Sequence, residues 1–327
     1  MITARRAHPF ARRALRAAAP LAAMLVAAGC TGPFGPFGGC AAEDFACRAE
    51  RTAIGYAALE AWYLDEGRLR TERAPADAPL SAELLADHFR TVAFNTEFAP
   101  GATLLEEETP ARLSRWSGAP RWRLEGDGIQ PADLEELRSL AARIARITRL
   151  DLTQAAPFEQ APGAPPGVER RETAPQIQVL ILGPAAREAL SASIAERGAV
   201  APLVAAWARS DEYPCVGLSL ERGGAGSEEG PSGALVMIKA ELRGLLRRAC
   251  LHEEFVQILG LPNDGPQIRP SIFNDDQEFA LLTEHDELLL RILYDPRLKP
   301  GMTEAEGMPI VRRIARELMA KRARKHG

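Results

Sequence analysis

Aromatic residues are scarce, at 6% of the 327 residues, so aliphatic side chains must supply most of the core. A basic excess is missing too: the chain carries a net charge of −4, with 40 basic against 44 acidic residues. All five charged residues in positions 1–29 are arginines (Arg5, Arg6, Arg12, Arg13 and Arg16). Beyond them, 35 basic residues face 44 acidic ones, a net charge of −9. A surface of that sign has no excess cations to displace phosphate counterions, and no basic stripe with interleaved aromatics occurs, so nucleic acid is a poor partner. The basic run from Lys321 to His326 is short and terminal and is expected to be solvated. There is no C-x-x-C pair, which removes thiol redox motifs and zinc–thiolate knuckles. There is no G-x-S-x-G elbow and no phosphate-binding glycine loop. Gly223-Gly224-x-Gly226 lacks the strand-turn-helix setting of a dinucleotide fingerprint.

Otherwise the composition is that of a globular protein. Hydrophobic residues make up 46% and charged residues 26%. The five arginines precede an apolar stretch from Ala17 to Ala28, which is too short to span a bilayer. Charged start and short apolar run together predict a secretory signal over 1–29. The run ends in Leu25-Val26-Ala27-Ala28-Gly29-Cys30, which resembles the bacterial lipobox. That resemblance implies cleavage before Cys30, a lipid on its thiol, and the periplasmic face of a membrane as the location. Thr31, rather than Asp, favours the outer membrane. The plainer alternative is an ordinary signal peptide with an unmodified Cys30.

With Cys30 lipidated, Cys40, Cys47, Cys215 and Cys250 remain, an even number suited to two disulfides in an oxidising compartment. Of three connectivities, Cys40–Cys47 and Cys215–Cys250 is the favoured one. Residues 31–39 form a Gly/Pro spacer. The expected organisation is the signal at 1–29, spacer and N-terminal helices at 30–93, a main domain at 94–296 and a helical extension at 297–327. Helices are expected at 43–66, from Ser81 as N-cap, at 131–148, 185–195, 201–208 and 241–259, and after Thr303. Strands are expected at 121–125, 177–182 and 234–238, and long loops at 155–175 and 222–233. This order gives an α+β fold.

The segment Cys250-Leu251-His252-Glu253-Glu254-Phe255-Val256-Gln257-Ile258-Leu259-Gly260-Leu261-Pro262-Asn263-Asp264 carries the chemistry. Glu253 and Gln257 are four apart and share one helix face. The segment resembles the metzincin zinc motif H-E-x-x-H-x-x-G-x-x-H, with Glu253, Gln257 and Asn263 at the three ligand positions, Glu254 at the general-base position and Gly260 at the turn. Ser271-Ile272-Phe273 resembles the opening of the metzincin Met-turn, with Phe for Met. Leu282-Thr283-x-x-Asp286 followed by Leu293-Tyr294 resembles the capping segment and terminal helix of matrix-type members. The resemblance implies a zincin-like fold: a small mixed sheet, a long motif-bearing helix and C-terminal helices. The same stretch also resembles a bacterial lipoprotein family catalogued as domain of unknown function 2927, whose members carry a similar E-E-x-x-Q-x-L-G-L-x-N-D and S-I-F-N-D. That likeness implies no activity.

A three-histidine zinc site is excluded. Only His88, His252, His285 and His326 follow the signal, and the residue four beyond His252 is Val256. Glu253, Gln257 and Asn263 offer oxygen ligands, which suit a hard divalent cation, with Asp264 or Asp275 as further donors. The competing reading is a buried hydrogen-bonded network. The favoured function is a non-catalytic envelope protein binding a peptide or another envelope component, or serving a structural role. The alternative is a peptidase-like hydrolase using Glu254 as general base with an oxygen-ligated metal or none.

Overall fold

The computed structural model describes residues 40–41, 43–98, 106–156, 175–194, 200–221 and 227–326. The expected signal, Cys30 and the spacer lie outside the described residues, as do 157–174 and 222–226. The fold is α+β, with eight helices and a five-stranded mixed sheet among the described residues. Helix α1 spans Phe45–Asp65, and the Asp44 side chain caps it by accepting from Cys47 N. Helix α2 spans Ala82–Ala93, with Ser81 accepting from Leu84 N as expected. A small antiparallel pair follows, β1 (Asn95–Phe98) and β2 (Glu106–Pro110).

The main sheet is built from β3 (Arg121–Glu125), β4 (Thr153–Gln154), β5 (Ile177–Leu182), β6 (Cys215–Glu221) and β7 (Pro231–Lys239), in the order β4-β3-β5-β7-β6. The first three pairings are parallel and the last is antiparallel. Helix α3 (Pro131–Thr148) joins the parallel neighbours β3 and β4, and a proline at its start fits a first-turn position that needs no N–H partner. Helices α4 (Pro184–Ile194) and α5 (Ala201–Arg209) lie between β5 and β6, α6 (Gly244–Gln257) follows β7, and α7 (Glu284–Leu293) and α8 (Glu304–His326) end the chain.

Alternation along β5 explains the layering. Side chains two apart share a face. Ile177, Val179 and Ile181 enter the large core with α3 and α6, together with Ala234, Val236 and Ile238 of β7. Leu180, Leu182 and Met237 face the other way, into a smaller core with Leu203, Val204 and Trp207 of α5. A strand covered on both faces must be apolar throughout, which is why residues 177–182 form an unbroken hydrophobic run.

Several expectations are corrected. The strand expected at 234–238 runs from Pro231 to Lys239, because both its neighbours extend the pairing. The helix expected at 241–259 is shorter. Glu241 is drawn into a buried ion pair with Arg187 at 2.7 Å, and Gly244 has φ +57, outside the helical region. Strands β1, β2, β4 and β6 were not anticipated. Both favoured disulfides are present: Cys40–Cys47, with Cα atoms 5.7 Å apart, and Cys215–Cys250, at 5.8 Å. The second ties the start of β6 to the middle of α6. No helix among the described residues is long and apolar enough to cross a membrane.

The Cys215–Cys250 bond closes a loop of sequence separation 35. Chain entropy alone assigns such a closure about 4 kcal/mol. Cys215→Ala/Cys250→Ala is expected to lower the unfolding free energy by about 3–4 kcal/mol, measured by urea denaturation. The matching Cys40/Cys47 variant is expected to lose less, because its loop is shorter.

Candidate functional site

The motif helix α6 is buried on every side from Ala249 to Gln257. Its polar side chains therefore need partners inside the protein. At its start, Arg247 donates from Nε to Asp133 Oδ1 at 2.7 Å and from a terminal nitrogen to Gly128 O at 2.7 Å. His252 Nδ1 accepts from Leu282 N at 3.0 Å, which leaves Nε2 to donate to Glu136 Oε1 at 2.8 Å. The bond from His252 is the main force holding the Glu136 carboxyl down at about 2, with Arg248 helping against partial burial.

Glu253 sits in a different setting. Its side chain accepts from Gln277 Nε2 at 3.3 Å. Its pKa is held well above the ordinary glutamate value, first by burial and then by the negative charge of Asp264, with Asp275 and Asp286 adding to it. The two residues named from sequence as further donors are thus close enough to be felt electrostatically. Even so, among the described residues no group of three or more His, Cys, Asp or Glu side chains is placed to hold a metal ion.

Glu254 turns toward the edge strand. A Cβ at Gly217 of β6 would lie 2.9 Å from Glu254 Oε2, so the glycine leaves the room that this carboxylate uses. Gln257 is buried, and its carbonyl accepts from Gly260 N at 3.0 Å and Leu261 N at 3.1 Å, closing the helix. Gly260 has φ +121, and a Cβ there would meet Ser114 O at 2.0 Å. Glycine is therefore required both by conformation and by space. The carbonyls that the turn leaves open are capped by side chains: Trp116 Nε1 donates to Ile258 O at 2.9 Å, and the Tyr294 hydroxyl donates to Leu259 O at 3.0 Å. Asn263 Nδ2 donates to Thr91 O and Asp264 O, both at 3.1 Å, and its backbone N–H reaches Val92 O. This side chain fastens the loop to the end of α2.

The downstream segment folds back beside the motif. Ser271 Oγ donates to Asp286 and accepts from Phe273 N at 3.0 Å. Asp286 also accepts from Thr283 N at 2.7 Å and Thr283 Oγ1 at 2.9 Å, so α7 starts with a capping box built on Thr283. Phe273 is fully buried, and Gln277, four residues on, is the group that reaches Glu253. A second buried pair lies nearby: His88 Nδ1 and His285 Nε2 are 3.0 Å apart. Burial, then the adjacent His285, lowers the His88 pKa to about 4.

Three contributors escaped the sequence. Gln277 has φ +55 and bonds Glu253. Glu136 lies on α3. Glu60, on α1, accepts from Leu245 N at 3.3 Å and Leu246 N at 3.1 Å, capping α6, whose own N-cap Arg243 makes no side-chain cap. Only the positive φ of Gln277 sets any of these apart locally, and φ is not written in sequence.

Residues 82–313 match the family model described as protein of unknown function (DUF2927), and the chain belongs to that family. No curated protein and no solved structure matches it.

The His88 shift has a defined pH consequence. Its folded pKa of about 4 lies below the ordinary histidine value of about 6.5. The unfolded chain therefore binds the proton first. Stability is full above pH 6.5 and falls as the pH drops from about 6.5 to 4. His88→Gln is expected to make the stability profile shallower across that window, by up to one proton's worth of slope, in chemical denaturation at stepped pH. An unchanged slope would mean that His88 does not titrate this way.

Proposed function

We propose that the protein is an exported bacterial lipoprotein, anchored through a lipid on Cys30 to the periplasmic face of the outer membrane. Its zincin-like domain serves there as a non-catalytic module that binds a peptide or envelope component or has a structural role. The N-terminal arginines, the apolar run and the lipobox support export and lipidation. Two disulfides suit an oxidising compartment. The zincin-like relationship is supported by the order of parts: a mixed sheet, a motif helix following β7, a glycine turn, a Ser-Ile-Phe turn beside it and a capped helix.

The observation that carries the non-catalytic reading is the use made of the ligand positions. Asn263 gives its amide to two backbone carbonyls, and Glu253 is buried among acids with a single amide donor. Both side chains make bonds within the protein. A second reading is a hydrolase with an oxygen-ligated cation and with Glu254, which holds the general-base position of the motif and packs its carboxylate against Gly217, as general base.

Elemental analysis of protein purified from the periplasm without chelators, with Glu253→Ala alongside, separates the two. The binding or structural module predicts no stoichiometric metal in either sample. A stoichiometric metal lost in the variant would make Glu253 a ligand and favour the hydrolase. Glu254→Gln is expected to leave folding and partner capture unchanged. Loss of a hydrolytic turnover in that variant, with stability retained, would overturn the non-catalytic reading.

A further inference from the structure

Helix α1 has two unlike faces. Thr52, Tyr56, Leu59 and Tyr63 are buried against the rest of the protein. On the opposite side, Ile54 is 63% exposed and Leu64 47% exposed, the two most exposed large hydrophobic residues of those described. Ala57, Ala58 and Ala61 are exposed between them. At 100° per residue, Ile54, Ala57, Ala58, Ala61 and Leu64 fall within one third of the helix circumference. The outer face is thus a continuous apolar strip nearly three turns long. Glu50 and Arg51 flank it at one end and Asp65 at the other.

The path of the chain says what covers this strip. Cys47 lies on the same face, seven residues before Ile54, and is bonded to Cys40. Chain arriving from the N-terminus is therefore pinned to the apolar side of α1, opposite the side that packs on the domain. Only residues 31–39 separate Cys40 from Cys30. The ten steps from Cys30 to Cys40 span at most about 35 Å when fully extended. A lipid on Cys30 would hold the start of α1 within that distance of the bilayer and on the side that bears Ile54.

We propose that the outer face of α1 (Ile54, Ala57, Ala58, Ala61 and Leu64) rests on the lipid surface that holds the Cys30 anchor. This inference rests on the reading of Cys30 as the lipidated residue. The acyl chains supply the anchorage. The strip fixes the orientation, laying α1 along the interface so that the domain is held by two attachments rather than one. Small side chains between Ile54 and Leu64 let the helix backbone approach the headgroups closely.

The test uses the full lipidated chain reconstituted into phosphatidylethanolamine–phosphatidylglycerol vesicles. A dye is attached through a bio-orthogonal amino acid at position 54, leaving the disulfides intact, or at Ala320 on the exposed side of α8 as a control. Vesicles then receive lipids with a nitroxide at the headgroup or high on the acyl chain. Quenching at position 54 is expected to exceed that at position 320 several-fold. In parallel, labelled palmitate is fed to cells making the wild-type chain or Cys30→Ser. Palmitate incorporated on Cys30 with equal quenching at the two positions would overturn the membrane-facing strip and leave the lipoprotein reading standing. No incorporation in the wild-type chain would overturn both.

Discussion

The burial of α6 from Ala249 to Gln257 is the constraint on which the rest of this structure depends. The polar residues Arg247, His252, Glu253, Glu254 and Gln257 of this helix are all buried. Leaving such groups unmatched costs more than most single contacts return. The surrounding elements are accordingly arranged as a set of partners. Helix α3 supplies Asp133 to Arg247 and Glu136 to His252. The segment after the Ser-Ile-Phe turn supplies Leu282 N to His252 and Gln277 to Glu253. Strand β6 supplies a glycine beside Glu254 and the disulfide to Cys250.

The region ahead of the family match belongs to this arrangement. Helix α1 caps α6 through Glu60. Just beyond α1, Leu69 N donates to Gln277 O at 2.9 Å, Arg70 N donates to Glu278 O at 2.8 Å, and Ala280 N donates to Arg70 O at 2.8 Å. The Arg70 guanidinium lies 4.8 Å from the centre of the Phe279 ring and pairs with Glu278 at 3.1 Å. One N-terminal arm therefore holds both the start of the motif helix and the segment that carries the partner of Glu253.

Much of this was legible in the sequence where local chemistry decides the structure. Ser81, Pro131, Thr283 and Thr303 mark helix starts because their side chains or rings satisfy the needs of a first turn, and each does so here. The run 177–182 signals a strand covered on both faces. The pairing of Cys40 with Cys47 followed from their short separation, which left Cys215 and Cys250 to each other. Strand β6 was missed because Cys-Val-Gly-Leu-Ser-Leu-Glu takes its identity from pairing along β7 rather than from its own pattern. The helix at 241–259 was overextended because apolar spacing continues through residues that distant groups pull out of register, as Arg187 does to Glu241 and Glu60 does around Gly244. The candidate site was legible as a set of positions, Glu253, Glu254, Gln257, Gly260 and Asn263. What those side chains bond to was not, because Gln277, the partner of Glu253, and Thr91, the partner of Asn263, come from elsewhere in the chain.

We propose that Glu253 is an internal member of a buried network, its carboxyl kept from ionising by burial and by the charge of Asp264, rather than a metal ligand. Infrared difference spectroscopy of the carboxyl stretch tests it most directly, comparing the wild-type chain with Glu253→Gln at pH 6, where a solvent-exposed glutamate is ionised. A protonated-carboxyl band present in the wild type and missing from the variant is the predicted result. A wild-type spectrum with no such band, and an ionised carboxylate band that shifts when divalent cation is added, would contradict it.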